Sequence, residues 1–245
     1  MLANTHPDGN PLKALPTAPL KVKVVVATRE TQDRFFTNTA TGRSLALQNI
    51  PGVEVVLVPE NREGLSAVYN RAIEASRGDP ALLIFMHDDI HLCDFYWADQ
   101  AAAALARFHI AGIAGNKRRV PHQPSWAFLD TKFTWDNFDN LSGIVGEGNG
   151  FPPKGLSIFG PPGQEVKLLD GLMLIAHSDT LIAHDLRFDE RFDFNFYDLD
   201  FCRQAEMKNL KMGTWPLSVV HESTGNFLSQ SWREGYRKYI AKWGA

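Results

Sequence analysis

Two cysteines in 245 residues, Cys93 and Cys202, are too few for a disulfide framework and fit a reducing compartment. Long apolar runs are missing as well: windows such as 81–86 (ALLIFM) fall far short of the ~20 residues that a membrane span needs. The first twenty residues carry Pro7, Pro11, Pro16 and Pro19 and lack the basic start and unbroken apolar stretch of a secretory leader. Neither sign of charge dominates. With 25 Lys and Arg against 28 Asp and Glu, the formal charge of −3 gives no general attraction for a phosphate backbone, so nucleic acid is not an expected partner. A soluble, cytoplasmic protein is expected, and the sequon Asn140-Leu141-Ser142 then carries no meaning. Neither a G-x-x-x-x-G-K-[ST] phosphate loop nor a G-x-S-x-G nucleophile elbow is present. The glycines of GEGNGF follow no strand pattern, so they make no dinucleotide fingerprint, and no internal repeat is found.

What is there is an ordinary globular composition, 44% hydrophobic and 22% charged. A chain of this length buries roughly 70–75% of its unfolded surface, enough for one core without staples. The expected organisation is a Pro-rich lead over 1–20 and one domain over 21–245. Continuous apolar runs at 22–27, 53–58 and 81–86 read as buried strands. Between the second and third, Leu65, Val68, Tyr69, Ala72, Ile73 and Ala75 recur at helical spacing. An Ala-rich helix over 99–108 and a short strand around 110–114 follow. This is the pattern of an α/β fold with a central, mostly parallel sheet covered by helices. In such sheets ligands sit beyond the carboxyl ends of the strands, where Thr28-Arg29-Glu30, Glu60-Asn61 and His87-Asp88-Asp89 fall.

The region 117–165 loses helical period and gathers Gly and Pro, which predicts long loops with one hairpin. Its Trp126 and Trp135 read either as a sugar platform or as plugs beneath the loops. A strand is predicted over 167–176, then a short helix capped by Ser178 or Asp179, a helix over about 199–209 closed by Gly213, and a strand over 217–220 that stops at His221. A tail helix over about 227–242 carries Trp232, Tyr236, Tyr239 and Trp243 on one stripe, which reads as a docking face. The basic residues Arg233, Arg237, Lys238 and Lys242 leave contact with a membrane surface as the lesser reading.

Asp88 and Asp89 place two carboxylates at one strand end, an arrangement that a hard cation such as Mg²⁺ or Mn²⁺ would neutralise; loop or capping aspartates are the plainer reading. His87 and His91 at i and i+4 would suit zinc only if the segment were helical, and the preceding run reads as a strand. Asp198 and Asp200 stand at a helix start, where they are either N-terminal charges or a general base facing a cleft. His221, at a strand end, is either structural or a nitrogen ligand.

Together these residues resemble the GT-A nucleotide-sugar glycosyltransferases, in particular the large inverting family 2. The resemblance lies in Asn61-Arg62-Glu63-Gly64-Leu65, then Tyr69 to Ile73, then Phe85-Met86-His87-Asp88-Asp89-Ile90, similar to an N-x-x-G-L, helix, strand and DxD succession. It continues through Asp170-Gly171, Phe188-Asp189-Glu190-Arg191-Phe192 and Tyr197-Asp198-Leu199-Asp200-Phe201, and covers about 22–226. It implies a GT-A, Rossmann-like domain whose residues 21–115 bind the nucleotide sugar and whose residues 116–245 supply the acceptor side.

Carried over, it implies that Asp88 and Asp89 form the DxD-type site, with Asp89 the metal ligand and Asp88 nearer the ribose or diphosphate. Thr28, Glu30, Asn61, Gly64 and His87 would line the nucleotide pocket. Asp198 matches the base and His221 the later histidine that reaches the metal in some members. Asp170, Gly171 and Trp126 would serve the acceptor. Two positions depart: His87 stands where an acidic residue is common, and Tyr197 replaces the usual glutamate, which leaves Asp200 as a rival base. The implied reaction is metal-assisted transfer of a sugar from a UDP- or GDP-sugar to a glycan, lipid-linked or protein hydroxyl, with inversion. The alternatives are a catalytically silent nucleotide-sugar-binding module, a nucleotidyltransferase, and a metal-dependent hydrolase.

Overall fold

The computed structural model describes residues 21–48, 50–223 and 227–244, so the Pro-rich lead over 1–20 lies outside the described residues. In chain order, β1 (Val22–Ala27) precedes α1 (Gln32–Asn38), α2 (Ala40–Leu47), β2 (Val53–Val58), α3 (Leu65–Ala75), β3 (Leu82–Met86) and β4 (Ile90–Leu92). Then come α4 (Trp97–Leu105), β5 (Ile110–Gly112), β6 (Ala114–Asn116), a 3-10 turn (Phe138–Asn140), β7 (Leu141–Glu147) and β8 (Gly155–Gly160). The remainder comprises β9 (Glu165–Val166), β10 (Leu168–Leu169), β11 (Met173–His177), α5 (Ser178–Ala183), α6 (Tyr197–Met207), β12 (Met212–Thr214), β13 (Val219–His221) and α7 (Gln230–Trp243).

The fold is α/β, with helices flanking two mixed sheets where the sequence predicts one. Among the described residues, one sheet has the order β2-β1-β3-β11-β5-β12-β9, and the other β10-β6-β7-β13-β4 with β8 on β7. β1 pairs in parallel with β2 and β3, as continuous β-branched runs covered on both faces require, but β11 runs antiparallel between β3 and β5. The reason for the second sheet is local. The predicted strand around 110–114 divides into β5 and β6, which leave Ile113 between them and enter different sheets. The predicted strand over 167–176 divides in the same way, with Asp170, Gly171 and Leu172 separating β10 from β11.

The apolar face of α3 is buried through Leu65, Val68, Tyr69, Ala72 and Ile73, as its spacing predicts. Two elements were invisible to periodicity: α1 and α2 meet at Thr39, whose N–H bonds the Phe35 carbonyl to end one helix while its hydroxyl accepts from Gly42 N–H at 3.0 Å to begin the next. The cap of α5 is His177, whose Nδ1 accepts from Asp179 N–H at 3.3 Å, in place of the predicted Ser178 or Asp179. Gly213 lies within β12, and His221 is the last residue of β13. The aromatic stripe of α7 docks on the protein: Trp232 and Tyr239 are buried, with Tyr236 and Trp243 packed against the core. No helix among the described residues is long and apolar enough to cross a membrane.

Candidate functional site

The topology gathers the candidate residues from five strand or helix ends. β1 and β3 are parallel neighbours, so Thr28 and Asp88, one and two residues past their ends, meet: the Thr28 hydroxyl donates to Asp88 Oδ2 at 2.6 Å. β11 is antiparallel to β3 with Met173 opposite Met86, which brings the Asp170-Gly171-Leu172 entry of β11 to the exit of β3. There His87 N–H donates to the Leu172 carbonyl at 3.1 Å. β13 pairs with β4 so that His221 lies opposite Ile90, beside Asp89. α6 then starts at Tyr197, directly after Phe196 in a left-handed conformation at φ 68°.

The turn from β3 to β4 is held by Thr41, whose hydroxyl lies 2.7 Å from the His87 carbonyl and 2.8 Å from that of Ile90. A strand-turn-strand path excludes the helical His87 and His91 pair that zinc would need. The cation-ready group is instead His87, Asp89 and His221, one nitrogen or oxygen of each lying within 4.8 Å of the others. His221 Nε2 is 3.3 Å from Asp89 Oδ2, and His87 Nδ1 is 3.9 Å from Asp89 Oδ1. That Oδ1 is buried and, among the described residues, has no hydrogen-bond partner. A buried carboxylate oxygen left facing an imidazole nitrogen fits a cation, so the residues present suit the divalent metal that the resemblance implies.

The electrostatics divide the carboxylates. Burial opposes the charge of Asp89, but hydrogen bonding and the charge of His221 outweigh it and hold the carboxyl at about 2. Burial likewise opposes a charged His221, yet Asp89 draws its pKa above the ordinary value. Asp88 is pushed up by burial, partly offset by the Thr28 hydroxyl. Burial lowers that of His87. Asp198 behaves differently: burial and the nearby charge of Asp170 push it up to about 7, against the hydrogen bonds it accepts from backbone N–H groups.

Gly171 joins the two halves. Its N–H donates to Asp198 Oδ2 at 3.1 Å, while its carbonyl accepts from the Tyr197 hydroxyl at 2.7 Å, and that hydroxyl also lies 2.8 Å from His87 Nε2. A Cβ at position 171 would stand 2.5 Å from Tyr197 Oη, so only glycine allows this approach.

Other predicted residues fall at different distances from this centre. Trp126 is buried and donates to Asp170 Oδ2 at 2.7 Å, so it holds a carboxylate and offers no open platform; Trp135 is the more exposed indole. Asn61 closes a turn through Glu63 and takes its own N–H to the Thr28 carbonyl, beside the end of β1. Glu30 pairs with Arg34 at 3.1 Å. Gly64 caps α3 where a Cβ would lie 2.8 Å from Asp193 Cα, which packs the 190s segment against the helix. Asp200 stands apart: it is fully buried and bonded by Lys242, Trp243 and Gln204. Sequence reasoning missed Thr41 and Phe194, whose ring stacks on His87 at 5.5 Å. An apolar recess of about 300 Å³ between the β7–β8 hairpin and Cys93 gathers no such convergent charge.

No protein-family model matches the chain, and no curated protein matches it. Among solved structures it is similar to TarS 1–349 from S. aureus, with TM-score 0.43 and 16% identity over 84% of this chain and 59% of that one. The same protein in complex with UDP gives 0.42 and 17% over 84% and 59%. A197 from STIV gives 0.42 and 8% over 83% of each chain. This chain therefore spans 59% of the TarS chains it matches.

Proposed function

We propose that the protein is a GT-A glycosyltransferase that moves a sugar from a nucleoside-diphosphate sugar, UDP- or GDP-linked, to a hydroxyl of a glycan, lipid-linked or protein acceptor, with inversion. The observation that carries this reading is the single residue Gly171 tying a partly buried carboxylate poised near pH 7 to a cation-ready His and Asp cluster. In the reading, Asp89 and His221 hold a Mn²⁺ or Mg²⁺ ion. Such a cation supplies Lewis-acid neutralisation of the charge that grows on the departing diphosphate. Asp88, kept in place by Thr28, faces the ribose or diphosphate, with Glu30, Asn61 and Gly64 along the nucleotide pocket. Asp198 takes the proton of the attacking hydroxyl, a role worth typically ~10²–10⁴-fold. Asp170 raises the proton affinity of that base, and Gly171 N–H aims it. One in-line displacement inverts the anomeric carbon.

A silent binding module would be supported by unrelated losses at His87 and Tyr197. These two side chains instead bond to each other, which favours a compensated pair. The test begins with a thermal-shift screen of nucleoside diphosphates and nucleotide sugars with and without Mn²⁺, to choose the donor. Asp198→Asn is then expected to bind the diphosphate as wild type does and to lose transfer by at least ~100-fold. Transfer retained in that variant would remove Asp198 from the role of base.

A further inference from the structure

We propose that His87 is a third ligand of the cation, through Nδ1, and that Tyr197 is the positioning residue that keeps this nitrogen unprotonated. The inference rests on the cation-binding half of the function proposed above and is independent of the group transferred.

The argument follows one proton. A hydroxyl carries a single hydrogen, and a carbonyl oxygen can only accept. Tyr197 Oη gives its hydrogen to the Gly171 carbonyl at 2.7 Å, so its 2.8 Å contact with His87 must be made by an N–H on Nε2. In a neutral imidazole the other nitrogen then bears a lone pair. That nitrogen, Nδ1, faces the orphaned Asp89 Oδ1 across 3.9 Å. Two acceptors cannot bond one another, so the pair needs a cation or a hydrogen-bond donor between them, and the spacing of the ligand atoms points to the cation. Donor atoms sharing an ion at about 2.0–2.2 Å stand roughly 3–4.4 Å apart, and both the 3.9 Å and the 3.3 Å separations at Asp89 lie in that range.

The residues around His87 hold this state. Gly171 has no Cβ to block the Tyr197 hydroxyl, Tyr197 is itself buried, and Phe194 stacks on the imidazole ring. A ligating histidine generally donates its other N–H to a fixed acceptor, and the phenol oxygen takes the place that a carboxylate or carbonyl often fills. The ligand chemistry has a consequence for the ion. Two imidazoles with one carboxylate suit Mn²⁺, Co²⁺ or Zn²⁺, whereas Mg²⁺ prefers oxygen donors.

The first measurement needs no variant and no substrate. In apo protein labelled with ¹⁵N-histidine, long-range ¹H–¹⁵N correlations are expected to show His87 protonated at Nε2 and bare at Nδ1; the opposite tautomer overturns the proposal. The second is a Mn²⁺ titration followed by electron paramagnetic resonance, repeated in competition with Mg²⁺. Tyr197→Phe is expected to weaken Mn²⁺ on the order of 10–100-fold, and His87→Asp to move the Mn²⁺ to Mg²⁺ preference toward Mg²⁺. If Tyr197→Phe, checked for folding by circular dichroism, binds Mn²⁺ as wild type does, Tyr197 has no positioning role and the proposal fails alone. If wild type binds no divalent ion, the cation half of the proposed function falls with it.

Discussion

At the scale of single residues, Asp198 and Asp200 show what two positions on one helix can and cannot share. Residues two apart on a helix point to nearly opposite faces, so the sequence already implies that only one carboxylate can face a given site. Which one does so depends on tertiary contacts: Asp200 turns to the tail helix and Asp198 to Gly171. Burial and Asp170 push Asp198 up to about 7, whereas an aspartate in an unfolded chain titrates near ~3.9. The folded chain therefore holds this proton more tightly than the unfolded one. The contribution of the group to stability is complete below pH ~4 and is lost as pH rises toward 7, by roughly 4 kcal/mol at about 1.4 kcal/mol per pKa unit. Asp198→Asn removes that loss. In urea unfolding, the variant is expected to gain stability relative to wild type between pH 4 and pH 8, by up to that amount. An unchanged difference across this range would mean that the carboxyl is not desolvated as its surroundings require.

At the scale of elements, the legible parts of the chain were those with a clean period: β1, β2, β3 and α3 follow from apolar spacing alone. What escaped were short segments whose identity lies in partners distant along the chain. β5 and β6 look like one strand in sequence because Ile113 between them is apolar and buried, yet they pair in different sheets. The interruption between β10 and β11 has a similar origin but a clearer function. The resemblance implies that Asp170 and Gly171 are site residues, but nothing local says why a glycine must follow the aspartate. The close approach of Tyr197 is the reason, and it yields a prediction at this scale. Gly171→Ala places a Cβ 2.5 Å from Tyr197 Oη and 2.9 Å from Asp198 Cβ, so the start of α6 must move away from β11. A loss of about 1–3 kcal/mol in chemical denaturation is expected, together with loss of the single His87 tautomer. Wild-type stability in this variant would show that α6 is not packed as closely as the glycine implies.

At the scale of the whole molecule, α7 closes the structure by meeting the carboxylates of Asp189 and Asp200. Lys242 Nζ lies 2.6 Å from Asp200 Oδ1 and 2.7 Å from Asp189 Oδ2, while Trp243 Nε1 donates to the same Asp200 oxygen at 2.7 Å. The helix thus does two things through one face: its aromatic stripe covers the core, and its last turn neutralises a carboxylate with no exposure to water. The stripe is legible from its spacing, but Lys242 near its end groups in sequence with a basic face whose lesser reading is membrane contact, because the partner carboxylate lies 42 positions away. A buried charge that loses its counter-ion costs more than the pair itself contributes, since desolvation is no longer offset. Lys242→Ala is accordingly expected to destabilise the protein by about 2–4 kcal/mol, the retained bonds from Trp243 and Gln204 keeping it near the lower part of the range for a broken buried pair. Asp200→Asn in the same background removes the stranded charge and should restore part of that loss, so a double-mutant cycle in urea isolates the pair. Hydrogen exchange adds the structural readout: amides of α7 should lose protection in Lys242→Ala while those of β1 and β3 keep theirs. Additive effects of the two substitutions would sever the tail helix from Asp200 and leave the aromatic stripe alone to hold it.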